Sequence, residues 1–270
     1  MKALQCVELG GPEKLQVNEI DAPEVVPGHV VIEVKSGSIN FPDVLMIQGL
    51  YQFQPPLPFI PGGESAGVIS EVGEGVTKFK EGDKVFAMTG VGAFAEKILA
   101  AESNCMPIPE SMDFDSAAAL SMTYGTSLYA LKQRASLQPG ETLLVLGASG
   151  GVGLAAIELG KAMGAKVIAA ASTQDKIDMC LSHGADEGFI YPSSNLDRDQ
   201  QKELSNKIKE LTGGLGPNVI YDPGGGSYAE PRLRSIAWEG RYLVIGFAAG
   251  ADQMPRMPLN LTLLKGCQIV

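Results

Sequence analysis

A strongly apolar strand that runs straight into a glycine cluster, and from there into a helix, leaves a chain few folds to choose from. In LLVLGASGGVGLAAIELGKAMGAKVIAAAS the apolar stretch Leu143–Leu146 ends at Gly147, and Ala148, Gly150 and Gly153 follow at small-x-Gly-x-x-Gly spacing before a helical pattern begins. The middle glycine lets backbone amides approach a pyrophosphate, and the last lets the helix pack closely on the strand. The helix start presents unpaired N–H groups and a partial positive charge to phosphates. A tight turn serving packing alone has the same spacing. The strand before it, the helix after it and the second strand at Lys166–Ala171 supply the βαβ context that marks a dinucleotide-binding loop.

The residues after this unit continue in the same way. Helices are expected at Val152–Met163, Gln174–Ser182, Asp197–Leu211 and Tyr228–Trp238, alternating with strands at Thr142–Leu146, Lys166–Ala171, Phe189–Tyr191, Val219–Tyr221 and Tyr242–Phe247. Near-continuously apolar strands alternating with helices read as a parallel sheet covered on both faces. The first hundred residues follow a different pattern. Short strands are expected at Met1–Glu8, Leu15–Ile20, Val30–Ser36, Glu64–Val72 and Lys84–Met88, with a short helix at Pro42–Gln48 and a loop around Pro55, Pro56, Pro58 and Pro61. The pattern changes near residues 112–125, where DFDSAAALSMTYGTSLYALKQRA reads as helix. The chain is therefore expected to be α/β, with a β-rich, barrel-like domain over 1–122 and a doubly wound parallel sheet over 123–270.

Composition narrows the function. With 21 basic and 31 acidic residues the net charge is −10, against the basic face a nucleic-acid binder needs. No apolar run approaches the roughly 20 residues of a membrane-spanning helix, and the N-terminus lacks the regions of a signal peptide. Cys6, Cys105, Cys180 and Cys267 are far apart and read as reduced thiols of an intracellular, cytoplasmic protein.

The end of the second strand bears on which dinucleotide is held. Sites for the unphosphorylated coenzyme place an acid roughly 20 residues past the glycines, where it bonds the ribose hydroxyls. Here the strand ends Ala171, Ser172, Thr173, and Lys176 follows. A hydroxyl with a cation suits a 2′-phosphate that a carboxylate would repel, so NADPH is expected. Asp175 lies one step later, in a first helical turn where acids are favoured in any case. An ordinary solvated lysine is the alternative for Lys176.

Several stretches together carry a family resemblance. PGGESAGVISEVGEGV (Pro61–Val76), SINFPD (Ser38–Asp43), TYGTSLYAL (Thr123–Leu131), GASGGVG (Gly147–Gly153), YDPGGGSY (Tyr221–Tyr228) and GRYLVIGFAAG (Gly240–Gly250) occur in order along the whole chain. The sequence resembles the medium-chain dehydrogenase/reductase superfamily, and within it the zinc-free quinone oxidoreductase (zeta-crystallin-like) branch. The resemblance implies a GroES-like catalytic domain, a Rossmann domain and NADPH in the cleft between them. It implies that Asn40 lies near the nicotinamide and substrate, Tyr51 lines the substrate pocket and Thr126 hydrogen-bonds near the nicotinamide. Gly150, Gly151, Val152 and Gly153 would cradle the pyrophosphate, Ser172 and Lys176 would face the 2′-phosphate, Tyr191 would lie beside the adenosine half, and Phe247 would approach the nicotinamide. Structural readings stand beside these: Asn40 fixing a turn, Tyr51 packing on the proline loop, Phe247 serving as core.

Zinc-dependent members of the superfamily use a cysteine, a histidine in a GHE segment and a four-cysteine lobe. Here those positions read SINFPD and GGE, the lobe is absent, and the two histidines, His29 and His183, lie elsewhere, so no metal is expected. The expected reaction is hydride transfer to a quinone or enone-type acceptor, with Asn40 or Tyr51 hydrogen-bonding the acceptor oxygen and the proton coming from water. The alternative is a non-catalytic NADPH-binding protein or an inactive shortened form. Family members continue past LLKGCQIV, so the resemblance implies a catalytic domain lacking its C-terminal return, a sixth Rossmann strand cut short, and a homodimer weakened by that loss.

Overall fold

The computed structural model describes residues 1–192, 196–250 and 253–270. The chain divides into two compact units, Met1–Met122 and Thr123–Val270.

In the first unit the strands are β1 (Lys2–Cys6), β2 (Leu15–Glu19), β3 (His29–Ser38), β4 (Glu64–Val72), β5 (Lys84–Met88), β6 (Lys97–Ala101) and β7 (Cys105–Pro107). β1 and β2 pair antiparallel, and the others form a five-stranded antiparallel sheet in the order β6-β3-β4-β5-β7. Alternate residues face one way, so Val30, Ile32, Ile69, Val85, Ala87, Ile98 and Ala100 make one buried cluster. A second cluster, Cys6, Met46, Ile47 and Phe59, forms where α1 (Phe41–Ile47) packs. Asn40 begins α1 in extended backbone, and Pro42 occupies its first turn, where its missing N–H costs nothing. α2 (Phe114–Ala118) is capped by the Asp113 side chain, which accepts from the Ser116 N–H at 2.7 Å. Strands β6 and β7 were not among the expected elements.

The boundary between the units falls within a helical stretch with unusual turns. Ser121–Gly125 and Tyr129–Arg134 are π-helical and flank the short α3 (Thr126–Leu128), so the single helix expected from the alanine-rich pattern is wide-turned over much of its length. The sheet contains β8 (Thr142–Val145), β9 (Lys166–Ala171), β10 (Glu187–Ile190), β11 (Val219–Asp222), β12 (Arg241–Val244) and β13 (Gln268–Ile269), all parallel, in the order β10-β9-β8-β11-β12-β13. The helices are α4 (Gly151–Ala162), α5 (Gln174–Ser182), α6 (Arg198–Leu211), α7 (Ala229–Ser235) and α8 (Asn260–Lys265). Strand residues alternate between two layers. Leu143, Val145, Val167, Ala169, Val219 and Tyr221 join Ala156 and Ile157 of α4. Leu144, Ile168, Ala170 and Ile220 join Leu204, Ile208 and Leu233 of α6 and α7. Burial on both faces explains why these strands carry few polar residues. α7 is shorter than the expected Tyr228–Trp238: it stops at Ser235, and Trp238 is exposed.

Candidate functional site

The strand order places a topological switch between β8 and β11, because the chain leaves β8 toward β9 and β10 on one side and returns to β11 on the other. Ligands of open parallel sheets bind beyond the carboxyl ends of the strands at such a switch. The loops at this edge hold most of the residues singled out from the sequence.

Gly147 leaves β8 with φ 54°, in the left-handed region, and the Gly150 N–H donates to its carbonyl at 2.9 Å. Gly150 caps α4 with no side-chain hydrogen bond to the helix start, so the first-turn amides of Gly151, Val152 and Gly153 are not covered by a capping side chain. A Cβ on Gly153 would stand 2.6 Å from the carbonyl oxygens of both Gly147 and Ala148. That contact fixes the helix against the loop and requires glycine. Gly150 and Gly151 are exposed. Ser127 supports the helix start from behind: its hydroxyl donates to the Val152 carbonyl at 2.9 Å and accepts from the Tyr221 hydroxyl at 2.8 Å. Burial pushes the Tyr221 hydroxyl up to about 12, so it stays protonated and able to donate.

At the end of β9, Lys176 Nζ donates to Ser172 Oγ at 3.0 Å, which brings the two predicted 2′-phosphate residues together. Thr173 caps α5 through its hydroxyl, which accepts from the Lys176 N–H at 3.4 Å. Asp175 is exposed in the first turn of that helix. Tyr191 follows β10, and its N–H donates to the Ala171 carbonyl at 3.0 Å, so it stands beside the strand end that carries Ser172. Its ring meets that of Tyr228 edge-on, with centroids 5.3 Å apart.

On the other side of the switch, Asp222 ends β11 with its carboxylate buried. Its Oδ1 accepts from the N–H groups of Gly224 at 2.8 Å and Gly225 at 3.0 Å. Its Oδ2 accepts from Arg232 Nη1 at 2.9 Å and from the Tyr242 hydroxyl. Burial, then the Asp222 charge, raise the Tyr242 hydroxyl well above its usual range. Gly225 and Gly226 both have positive φ, and a Cβ on Gly225 would press 3.1 Å from the Phe247 ring. Phe247 is exposed, contrary to a core role, and lines a cavity of about 270 Å³ with Asp222, Gly225, Tyr242, Met254 and Pro255.

Thr126 is half-buried at the start of α3. Its neighbour Tyr124 donates to Glu158 Oε2 of α4 at 2.5 Å, and His183 Nδ1 lies 2.7 Å from Glu158 Oε1. The Glu158 bond, then burial, push the Tyr124 hydroxyl up to about 12.

In the first unit, Asn40 is held on several sides. Its backbone N–H donates to Asp43 Oδ2 at 2.7 Å, and its side-chain amide donates to Glu64 Oε1 at 2.8 Å and to Ser38 Oγ at 3.3 Å. A carboxylate can only accept, so the amide nitrogen must face Glu64, and both of its hydrogens are taken. The second Glu64 oxygen accepts from the Met122 N–H at 2.9 Å. Asp43 also accepts from the Gly62 N–H at 3.2 Å. Burial, aided by the Glu64 charge, raises the Asp43 carboxyl above its ordinary value, against the lowering effect of these N–H bonds. Tyr51 is half-buried against the Cys6–Met46–Ile47–Phe59 cluster. A larger cavity in this unit, about 850 Å³ and lined by Lys78, Lys84, Cys105 and Glu110 among others, contains none of the predicted residues.

Sequence reasoning quoted Asp43, Glu64, Ser127, Tyr221 and Asp222 inside motifs without giving them roles, and missed Arg232. An acid at a strand end before Pro-Gly-Gly-Gly was a usable signal for Asp222, whereas Arg232 looks like any charge on a helix. Among the described residues, no group of three or more His, Cys, Asp or Glu is arranged to hold a metal, and no helix is long and apolar enough to cross a membrane.

The chain matches two family models, an alcohol dehydrogenase GroES-like domain over residues 26–110 and a zinc-binding dehydrogenase domain over residues 151–270. It is 39% identical over 265 residues to quinone oxidoreductase-like protein 2 of Rattus norvegicus, covering 98% of this chain and 72% of that protein. It is 35% identical over 258 residues to the quinone oxidoreductase of the same organism, covering 95% of this chain and 76% of that one. The crystal structure of Escherichia coli quinone oxidoreductase complexed with NADPH superposes with a TM-score of 0.89 at 30% identity, covering 100% of this chain and 80% of that one.

Proposed function

The chain belongs to the medium-chain dehydrogenase/reductase family, among its quinone oxidoreductase-type members, and from that premise we propose that it is an NADPH-dependent reductase of quinone or enone-type acceptors that works without zinc. The observation that carries the coenzyme reading is the loop at the switch point. At Gly153 a side chain would collide with backbone, and the amides at the start of α4 lie on the ligand-binding edge with no capping side chain. This cradle fits a pyrophosphate. Ser172 and Lys176, already hydrogen-bonded to each other, fit a 2′-phosphate on the adenosine ribose. Tyr191 would flank the adenosine, and Thr126 and Phe247 the nicotinamide end.

When bound, the coenzyme supplies a hydride, which together with a proton from water reduces the acceptor by two electrons. The chain's own contribution is orientation and polarisation. Asn40 holds its amide hydrogens on Glu64 and Ser38, so it can offer only its carbonyl oxygen, and hydrogen-bond donation to the acceptor oxygen falls to the Tyr51 hydroxyl. The absence of zinc from the mechanism rests on the donor set: SINFPD and GGE place Asn40 and Gly63 where a thiol and an imidazole would be needed. Four buried cysteines, none of them in a disulfide, accord with a reducing, cytoplasmic setting.

The test follows NADPH absorbance with panels of quinones and enones. Turnover with at least one panel is expected. A folded protein that oxidises NADPH with neither refutes the enzyme reading, and one that binds NADPH tightly without turnover selects a non-catalytic binding protein instead.

A further inference from the structure

Arg232 and Asp222 form the one fully buried ion pair among the described residues, and the proposed reaction leaves its chemistry unused. Arg232 lies on α7, 2% exposed, with Nη1 on Asp222 at 2.9 Å and Nε buried without a hydrogen-bond partner. The guanidinium carbon stands 4.9 Å from the Tyr228 ring centroid and 5.7 Å from that of Tyr191. Tyr228 in turn donates its hydroxyl to the Pro192 carbonyl. One side chain thus touches both flanks of the switch point: the Tyr191–Pro192 segment after β10, and through Asp222 the Gly224–Gly225 turn after β11. Tyr242 of β12 closes the network on the same carboxylate oxygen.

Such a group is poorly explained by stability. Stripping water from a guanidinium and a carboxylate offsets most of their attraction, and a buried pair is often replaceable by apolar residues without loss. Its partly satisfied hydrogen-bonding capacity adds to that cost. What the arrangement does provide is a fixed distance between two loops that no local sequence signal connects.

We infer that Arg232 is a positioning residue for coenzyme binding, holding the Tyr191–Pro192 segment and the Asp222–Gly225 turn in the mutual geometry that accepts the two halves of the dinucleotide. The inference rests on the NADPH reading above. Arg232→Lys keeps a charge for Asp222 but gives up the guanidinium carbon that stands over the Tyr228 and Tyr191 rings.

The experiment uses the full chain and compares three proteins: the parent, Arg232→Lys, and the double variant Asp222→Asn/Arg232→Met, which removes the pair without leaving a lone buried charge. NADPH affinity by calorimetry, thermal midpoint, and KM for NADPH and for the acceptor are measured on each. The double variant should melt close to the parent and bind NADPH roughly tenfold more weakly. KM for NADPH should rise while KM for the acceptor at saturating NADPH holds, and Arg232→Lys should fall between. Parent-like NADPH affinity in the double variant overturns the inference. So does a loss that tracks the unfolded fraction, or a failure of both variants to fold, since either makes the role purely structural. A parent that binds no NADPH refutes the coenzyme reading itself, a result read before any variant is compared.

Discussion

Gly153→Ala is the sharpest perturbation of the loop. The added methyl carbon would sit 2.6 Å from two backbone carbonyl oxygens, those of Gly147 and Ala148, and 2.8 Å from the Ala148 carbonyl carbon. Real Cβ contacts do not come this close, and backbone cannot rotate away as a side chain can, so α4 must lift from the end of β8. Overpacking of this kind costs about 1–3 kcal/mol, while replacing glycine by alanine within a helix returns up to about 1 kcal/mol. The expected net loss is about 1–2 kcal/mol, accompanied by weaker NADPH binding because the amides of the first turn move. Gly151→Ala is the control. It lies on the same turn and is exposed, and its one close contact is the Thr123 methyl at 2.9 Å, which must shift but is a side-chain atom and not backbone. Its stability should fall by less than that of Gly153→Ala, by about 1 kcal/mol at most. Urea unfolding of both variants, with calorimetric NADPH titration, decides the matter. A Gly153→Ala protein as stable as Gly151→Ala, with parental affinity, refutes the argument that the glycine is required by backbone contact.

Three further outcomes follow from the same geometry. Lys176→Ala should weaken NADPH about tenfold or more and leave NADH unchanged, since a hydrogen bond to a charged group contributes about 1.5–3 kcal/mol, and Ser172→Asp should reverse the preference; equal loss for both coenzymes in a titration contradicts this. The Tyr124 hydroxyl, then His183, hold the Glu158 carboxyl below its ordinary value of 4.5. That pairing therefore stabilises the fold above about pH 4.5 and the contribution fades as pH falls through the lower native value; urea midpoints of Glu158→Gln and the parent should converge under acid, and parallel curves would contradict it. Prolonged chelator dialysis should leave NADPH-dependent reduction of the preferred acceptor unchanged, whereas loss restored by zinc alone would overturn the zinc-free mechanism.

The parts that could be read from the sequence were those fixed locally. Strand β9 and helix α5 fall at the expected bounds, because Val167–Ala171 is an unbroken apolar run and the helix follows it after a two-residue turn whose Thr173 caps it. The glycine loop was readable because the strand, the turn and the helix are consecutive. β6 and β7 were missed because a five-residue and a three-residue strand gain their identity from partners far away in the chain, β3 and β5. The wide turns of 121–134 left no mark in an alanine-rich pattern that suits any helix. In the first unit, SINFPD directed attention to Asn40 but not to the way Glu64, 24 residues on, would occupy its amide. Arg232 was unreadable for the same reason: its burial depends on Asp222, Tyr191 and Tyr228, which meet only once the sheet has formed.

The central claim, that the glycine turn above this parallel sheet receives a phosphorylated dinucleotide, is tested most directly by titrating the purified chain with NADPH and NADH side by side in a calorimeter. The account predicts saturable binding of NADPH, tighter than NADH by roughly tenfold or more. Binding of neither, or NADH taken up as tightly as NADPH, would contradict it.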